Sequence, residues 1–404
     1  MTSYKNSEPA PPIMQGTPPP PDMRIPMIDW DRPPWNRWSF QHVRELLPTA
    51  AIHRGDVVSV LPEASGSLDD FAYLDSDGQE TRFSQMLDDT YTDAMFVWKD
   101  GRVLHESYHN GMDARRPHLL QSVSKSITAA AAGCLIEDGL LDPARLITDY
   151  LPELTRTAWN GASLQQVLDM TSGTRFTEEY TVRDSDAGKM DFAAGWKPAP
   201  PGVDVSGWPG CIWDQMLGLD NADAAHGARF SYRSIETDVL AHAMQRVSGQ
   251  SLAQILSERL WRPLGCADDA SITVDRAGYG LACGGISATL RDMARFGLML
   301  LANGQAGGRQ IVPAEWCQDI RHGKHGLYDA ETLAHWPRGA YRNQFWVEDS
   351  ALGRHYCLGV FGQMVMVAPD TGMMAVKLST WPDFVDDNCD RLTMEGLRAV
   401  ERAF

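Results

Sequence analysis

The sequence lacks the usual frameworks for holding a metal or a disulfide. Its seven cysteines, at positions 134, 211, 266, 283, 317, 357 and 389, contain no C-x-x-C pair. That scatter fits neither a zinc template nor a paired scaffold, and an odd count suits a reducing compartment. The eleven histidines include one H-E-x-x-H string, His105 to His109, but it continues a strand-like stretch rather than a helix, where the motif's two histidines would share a face, so neither a metal nor any other cofactor is expected. No run of 18 apolar residues occurs, and the N-terminus shows no basic-then-apolar leader pattern, which points away from a membrane and toward the cytoplasm. Positive charge is scarce too: 36 Lys and Arg against 53 Asp and Glu leave a net charge of −17. Nucleic acid and anionic membrane would both be repelled. The expected partner is a small molecule. A homodimer is left open, since nothing in the sequence fixes the oligomeric state.

What is present is an ordinary globular composition, 43% hydrophobic and 22% charged over 404 residues, longer than one compact core usually spans. Residues 1–34 form a Pro-rich arm, with Trp30, Trp35, Trp38 and Phe40 available to pack on the body. Ser39 is a candidate cap for a helix over 40–47. Residues 94–105 read as strand, Asp-Gly turn, strand. Helical periodicity marks 127–140, 163–170, 235–247, 251–264 and 287–301, the last with 291–295 exposed on one side. Between about 171 and 230 periodicity is weak, as in a functional loop or lid. Strand-like runs return at 358–367 and 374–379, with a turn over 369–372. The fold class expected is therefore α+β. An antiparallel sheet drawn from 35–121 and 280–404, flanked by helices, receives an inserted helical lobe over 122–279. A cleft between such lobes is the usual ligand site, and Ser122 falls at the first crossing.

Ser122-Val123-Ser124-Lys125 is an S-x-x-K pair at the head of the first long helical run. Three-residue spacing sets the serine hydroxyl and the lysine amine on one face, a turn apart. Burial disfavours the charged lysine, which makes it a base beside a nucleophile. About one S-x-x-K arises by chance in a chain of this length, so the pair needs support from elsewhere.

That support is a resemblance. S-x-x-K, Tyr232-Arg233-Ser234 and Gly284-Gly285-Ile286-Ser287 occur in the order and rough spacing of the penicillin-recognising serine hydrolases, which include class C β-lactamases, DD-peptidases and certain carboxylesterases. Pro34-Trp35-Asn36-Arg37-Trp38, Thr90-Tyr91-Thr92-Asp93 and Lys377-Leu378-Ser379-Thr380-Trp381 resemble its nylon-oligomer-hydrolysing branch in particular. The likeness spans about residues 33–382 and implies a β-lactamase/transpeptidase-like fold and an acyl-enzyme mechanism on short linear amides or esters. It casts Ser122 as nucleophile, Lys125 as proton acceptor and Tyr232 as the relay to the leaving group. It implies an oxyanion held by the N–H groups of Ser122 and Val360, with Gly359 permitting close approach and the register open by one residue. It further implies that Tyr180 meets the scissile N–H and Asp191 the substrate amino end, although Asp191 also reads as one more solvated acid. Trp346 is expected to wall the pocket, with Trp208 and Trp213 as further candidates, and Cys283 replaces an asparagine found in some relatives. The K-T-G motif and the E-x-x-L-N motif are both missing, which favours neutral amides or esters over β-lactams. A carboxylesterase or acyltransferase with little amidase activity is the alternative.

Overall fold

The computed structural model describes residues 2–323 and 328–404. At its centre is a seven-stranded antiparallel sheet. In spatial order its strands are Ala340–Arg342, Phe345–Asp349, Arg354–Gly359, Gln363–Ala368, Met373–Ser379, Thr92–Lys99 and Arg102–Tyr108. Thr92–Lys99 shows why both faces are covered. Ala94 and Phe96 point into one core and Met95 and Val97 into another, all fully buried, as the two-residue period of a strand requires. Helix Leu290–Leu301 covers the first face, where Gly297 lies so close that a Cβ would stand 2.7 Å from the Met374 sulfur. Helices Phe83–Asp89 and Asp387–Ala403 cover the second. The expected hairpin is there, with Asp100 and Gly101 both at positive φ (46° and 87°), the two-residue turn that matches strand twist.

Several expected boundaries move. The run over 358–367 is two strands, because a tight turn over Val360–Gly362 intervenes and Phe361 adopts φ 61°. The helix expected from Ser287 begins at Leu290, since Ile286–Ala288 is a strand and the Thr289 side chain caps the helix by accepting the Asp292 N–H. Residues 291–295 are not an exposed face: Asp292, Met293, Ala294 and Arg295 are buried. Asp292 takes the amides of Ala267 and Asp268 and pairs with Arg295 at 3.1 Å. The helix expected over 40–47 is two short turns, Asn36–Ser39 and Val43–Leu46. Within the expected loop of 171–230 lie two helices, Asp186–Ala193 and Ile212–Gly218.

A second sheet, ordered Thr49–Ile52, Ala270–Thr273, Ile286–Ala288 and His118–Leu119, leads directly into Ser122. Ala270–Thr273 is thus a strand inside the stretch expected to be helical. The N-terminal arm is extended but attached: Ile13, Trp30 and Asp31 are buried. The three stretches that resemble the nylon-oligomer branch meet here. Arg37 pairs with Asp93 at 2.7 Å and donates to Thr380 at 2.9 Å, while His118 lies 3.0 Å from Asp93. Burial pushes the Asp93 carboxyl up, but Arg37, His118 and Thr380 outweigh it and hold the group below its usual range. Because His118 precedes Ser122 by four residues, this ionic knot fixes the strand that delivers the serine.

Candidate active site

The helix Val123–Glu137 is buried on every side from Val123 to Leu135, with Ala129 to Ala132 all fully buried, as a helix in the middle of a core is. Ser122 occupies its N-cap. Gln121, just before it, has φ 49°, a left-handed backbone that non-glycine residues keep only under constraint. The elbow turns the Ser122 side chain into a cleft. Lys125, one turn along and 1% exposed, donates to Ser122 Oγ at 2.9 Å and to the Cys283 carbonyl at 2.8 Å. Its ammonium lies 5.1 Å from the centroid of the Tyr232 ring, and Tyr232 stacks on Trp346 at 5.4 Å and 25°.

Burial works to lower the Lys125 pKa, as expected, but the titratable groups facing it (Tyr232, Cys283, Glu178) outweigh that effect and raise it. Burial also raises Tyr232, against the pull of Lys125 and Ser122. The resting pair therefore holds an ammonium and a phenol. The expectation that burial alone would leave Lys125 a free amine is corrected by its neighbours.

Two adjoining cavities open on Ser122. One is lined by Lys125, Asp31, Asp191, Cys283, Trp196 and Val360. The other, about 670 Å³, is lined by Tyr232, Trp346, Gly359, Val360, Trp381 and Phe384. Tyr180 borders both. The expected residues Ser122, Lys125, Tyr232, Tyr180, Asp191, Trp346, Cys283, Gly359 and Val360 are thus brought together. Gly359 is the point of closest approach: a Cβ there would stand 2.7 Å from the Leu120 carbonyl and 3.0 Å from the Ser122 amide nitrogen. Trp208 packs on Phe192 and Trp213 on His242 instead, and neither lines these cavities.

Asp191 is not a free acid. Lys197 bridges it at 2.9 Å and Asp31 at 2.7 Å, so the arm contributes a buried carboxylate to the wall. Glu178 was not legible in the sequence. Its carboxylate accepts the Tyr180 hydroxyl at 2.6 Å, the Ser234 hydroxyl at 2.5 Å and the Ser234 amide at 2.8 Å. Burial and Glu178 together push the Tyr180 phenol far up. Among the described residues no cluster of three or more His, Cys, Asp or Glu is placed to hold a metal, and no helix is long and apolar enough to cross a membrane.

A buried helix opening at Ser122, set between an antiparallel sheet and further helices, defines a class. Residues 80–397 match the beta-lactamase family, and the chain belongs to that family. It is 37% identical over 361 residues to the 6-aminohexanoate-dimer hydrolase of Paenarthrobacter ureafaciens, covering 89% of either chain. A Bacillus anthracis structure assigned provisionally to the same hydrolases superposes with a TM-score of 0.85 at 30% identity, covering 96% of this chain and 98% of that one. A family VIII carboxylesterase, at 16% identity and TM-score 0.55 over 76% of this chain and 91% of its own, shares the fold. The chain is a hydrolase of α+β, β-lactamase/transpeptidase-like fold.

Proposed function

We propose that this hydrolase cleaves amide or ester bonds of short linear substrates, oligoamides of the 6-aminohexanoate type foremost, through an acyl-enzyme on Ser122. The observation that carries the reading is the 2.9 Å contact from Lys125 Nζ to Ser122 Oγ, at a helix N-terminus and beside the Tyr232 phenol. After the pair loses one proton, Lys125 accepts the proton of Ser122 as its oxygen attacks the carbonyl carbon. Tyr232 passes that proton to the leaving nitrogen or oxygen. The Ser122 and Val360 N–H groups hold the oxyanion; Gly359, which brings the two backbone segments together, supports that assignment. Tyr180 meets the scissile N–H, Asp191 the substrate amino end, and Trp346 walls the pocket. Water then breaks the ester to release the acyl group. Seven unpaired cysteines, six of them buried, support a cytoplasmic setting.

A hydrolysis screen tests the reading. Short acyl esters, linear and cyclic oligoamides and a chromogenic β-lactam are offered, with Ser122→Ala as the blank. Turnover of linear amides or esters that disappears in the blank is the expected result; activity surviving Ser122→Ala would remove the site. One feature favours the ester-first alternative. Asp191 is already neutralised by Lys197, which weakens its hold on an ammonium-bearing acyl group. Product analysis with an added alcohol or amine separates hydrolysis from acyl transfer.

A further inference from the structure

Tyr180 has a single proton, and the structure accounts for it. The hydroxyl donates to Glu178 at 2.6 Å. A phenol so engaged presents only lone pairs on its remaining side. Glu178 is itself held: the Ser234 hydroxyl and amide both donate to it. Ser234 is two residues from Tyr232 and is the N-cap of the helix Ile235–Ser248, so the carboxylate is tied to the segment that carries the proposed proton relay. Glu178 also borders both cavities beside Ser122.

We infer that Glu178 is a positioning residue that fixes Tyr180 as a hydrogen-bond acceptor, so that the site favours substrates whose scissile bond carries an N–H. The inference rests on the proposed site reading and deepens it. An ester has no proton to give Tyr180, and its linking oxygen meets the lone pairs unfavourably. A secondary amide supplies the N–H. An N-alkylated tertiary amide puts a carbon there and loses the contact. With its N–H held by Tyr180, the nitrogen of the tetrahedral intermediate is turned so that its lone pair can face another wall, where Tyr232 stands.

A second consequence is electrostatic. Lys125 is faced by Glu178 and by the titratable side chains of Tyr232 and Cys283, and it in turn acts on Asp238. Of these, Glu178 is the one whose charge is removed without touching the proton pair itself. Glu178→Gln should therefore ease proton loss from the pair and move the acid limb of the pH–rate profile to lower pH. It also offers Tyr180 an amide donor, which frees the phenol to turn its own proton toward the substrate.

The experiment measures kcat/KM for matched secondary amide, N-methyl tertiary amide and ester substrates across pH, in the wild type, Glu178→Gln, Glu178→Asp and Tyr180→Phe. The expected result is a fall of about 10- to 100-fold in the amide-to-ester ratio of Glu178→Gln, the size of one charge-assisted hydrogen bond. The gap between secondary and tertiary amides narrows, and the acid limb moves down. Glu178→Asp keeps the charge but withdraws it, so its ratio falls while its limb stays; it carries the test if Glu178→Gln does not fold. Equal loss of amide and ester turnover with an unmoved limb in Glu178→Gln would overturn the inference. If Tyr180→Phe lowers the ratio while neither Glu178 variant does, the role of Glu178 alone falls. If Ser122→Ala stays active, the site reading falls with it.

Discussion

Gly359 lies so close to Ser122 that a Cβ built on it would stand 3.0 Å from the serine amide nitrogen and 2.7 Å from the carbonyl of Leu120. Both neighbours are backbone and cannot step aside. The glycine is needed for proximity, since its φ of −138° is open to any residue. Gly359→Ala should therefore part the strand Arg354–Gly359 from the head of the helix Val123–Glu137 by several tenths of an ångström. Loss of one oxyanion donor costs about 10²–10³ in kcat, and that is the expected drop. Circular dichroism and thermal melting should show the fold retained. Full activity in a folded Gly359→Ala would show that the Val360 peptide does not hold the oxyanion.

The proton pair sets the pH profile. Both Lys125 and Tyr232 titrate above their ordinary values, so at neutral pH the pair holds one proton more than the proposed activation of Ser122 requires. A raised pKa means that the productive, singly deprotonated form grows as pH rises. On a neutral ester, log kcat/KM should climb with unit slope through neutral pH and level off only on the alkaline side. Lys125→Met should abolish that climb together with at least about 10³-fold of the rate, within the range of acid–base contributions. A rate flat from pH 6 to 9 would place the free amine at rest and reverse this assignment.

How much of this was legible follows the range of the interactions. The hairpin around Asp100-Gly101 depends on neighbours within four residues, and it is where the sequence indicated. Ser122 and Lys125 are three apart, so their contact was legible as well. The turn at Val360–Gly362 was hidden because the apolar run continues through it. Phe361 accepts a left-handed backbone there only because Phe40 and Phe384 enclose its ring at 5.4 Å and 4.7 Å. The charges of Asp292 and Arg295 suggest solvent, whereas the two are buried and pair with each other, and Asp292 also takes the loop amides of Ala267 and Asp268. Glu178 escaped notice since its anchor, Ser234, is 56 residues away. Asp31 escaped because a Pro-rich arm gives no periodicity to read.

Lys197 stands between two carboxylates, both side chains of the Asp31 pair being about 5% exposed and that of Asp191 30%. Lys197→Met would leave Asp31 buried without a counter-ion, and removing one partner of a buried pair costs about 3–5 kcal/mol. Asp191→Asn keeps the Asp31 pair as the counter-ion of Lys197 and should cost on the order of 1 kcal/mol or less, because Asp191 is the partly exposed, better screened partner. Its signature is kinetic instead: KM for an ammonium-bearing acyl substrate should rise several-fold relative to a neutral acyl ester. Urea denaturation ranks the stabilities. Equal loss in the two variants would mean that Asp31 is not anchored through Lys197.

Asp238 sits behind Lys125, fully buried, with its Oδ1 accepting the Ala282 N–H at 2.8 Å. Burial pushes this carboxyl up to about 7, partly offset by the Ala282 amide, Cys283 and Lys125. For an acid the consequence has a definite sign. The native state holds the proton over the range in which the unfolded chain, near 3.8, has already released it. Its stabilising share is complete below the unfolded value and is lost as pH rises toward 7, at no more than about 1.4 kcal/mol per pH unit. Asn keeps the acceptor for Ala282 and cannot ionise. Asp238→Asn should thus match the wild type in thermal melts near pH 4 and exceed it progressively toward pH 8. A variant equally less stable at both ends would show that the ionised carboxylate, through its attraction to Lys125, is the form the fold depends on.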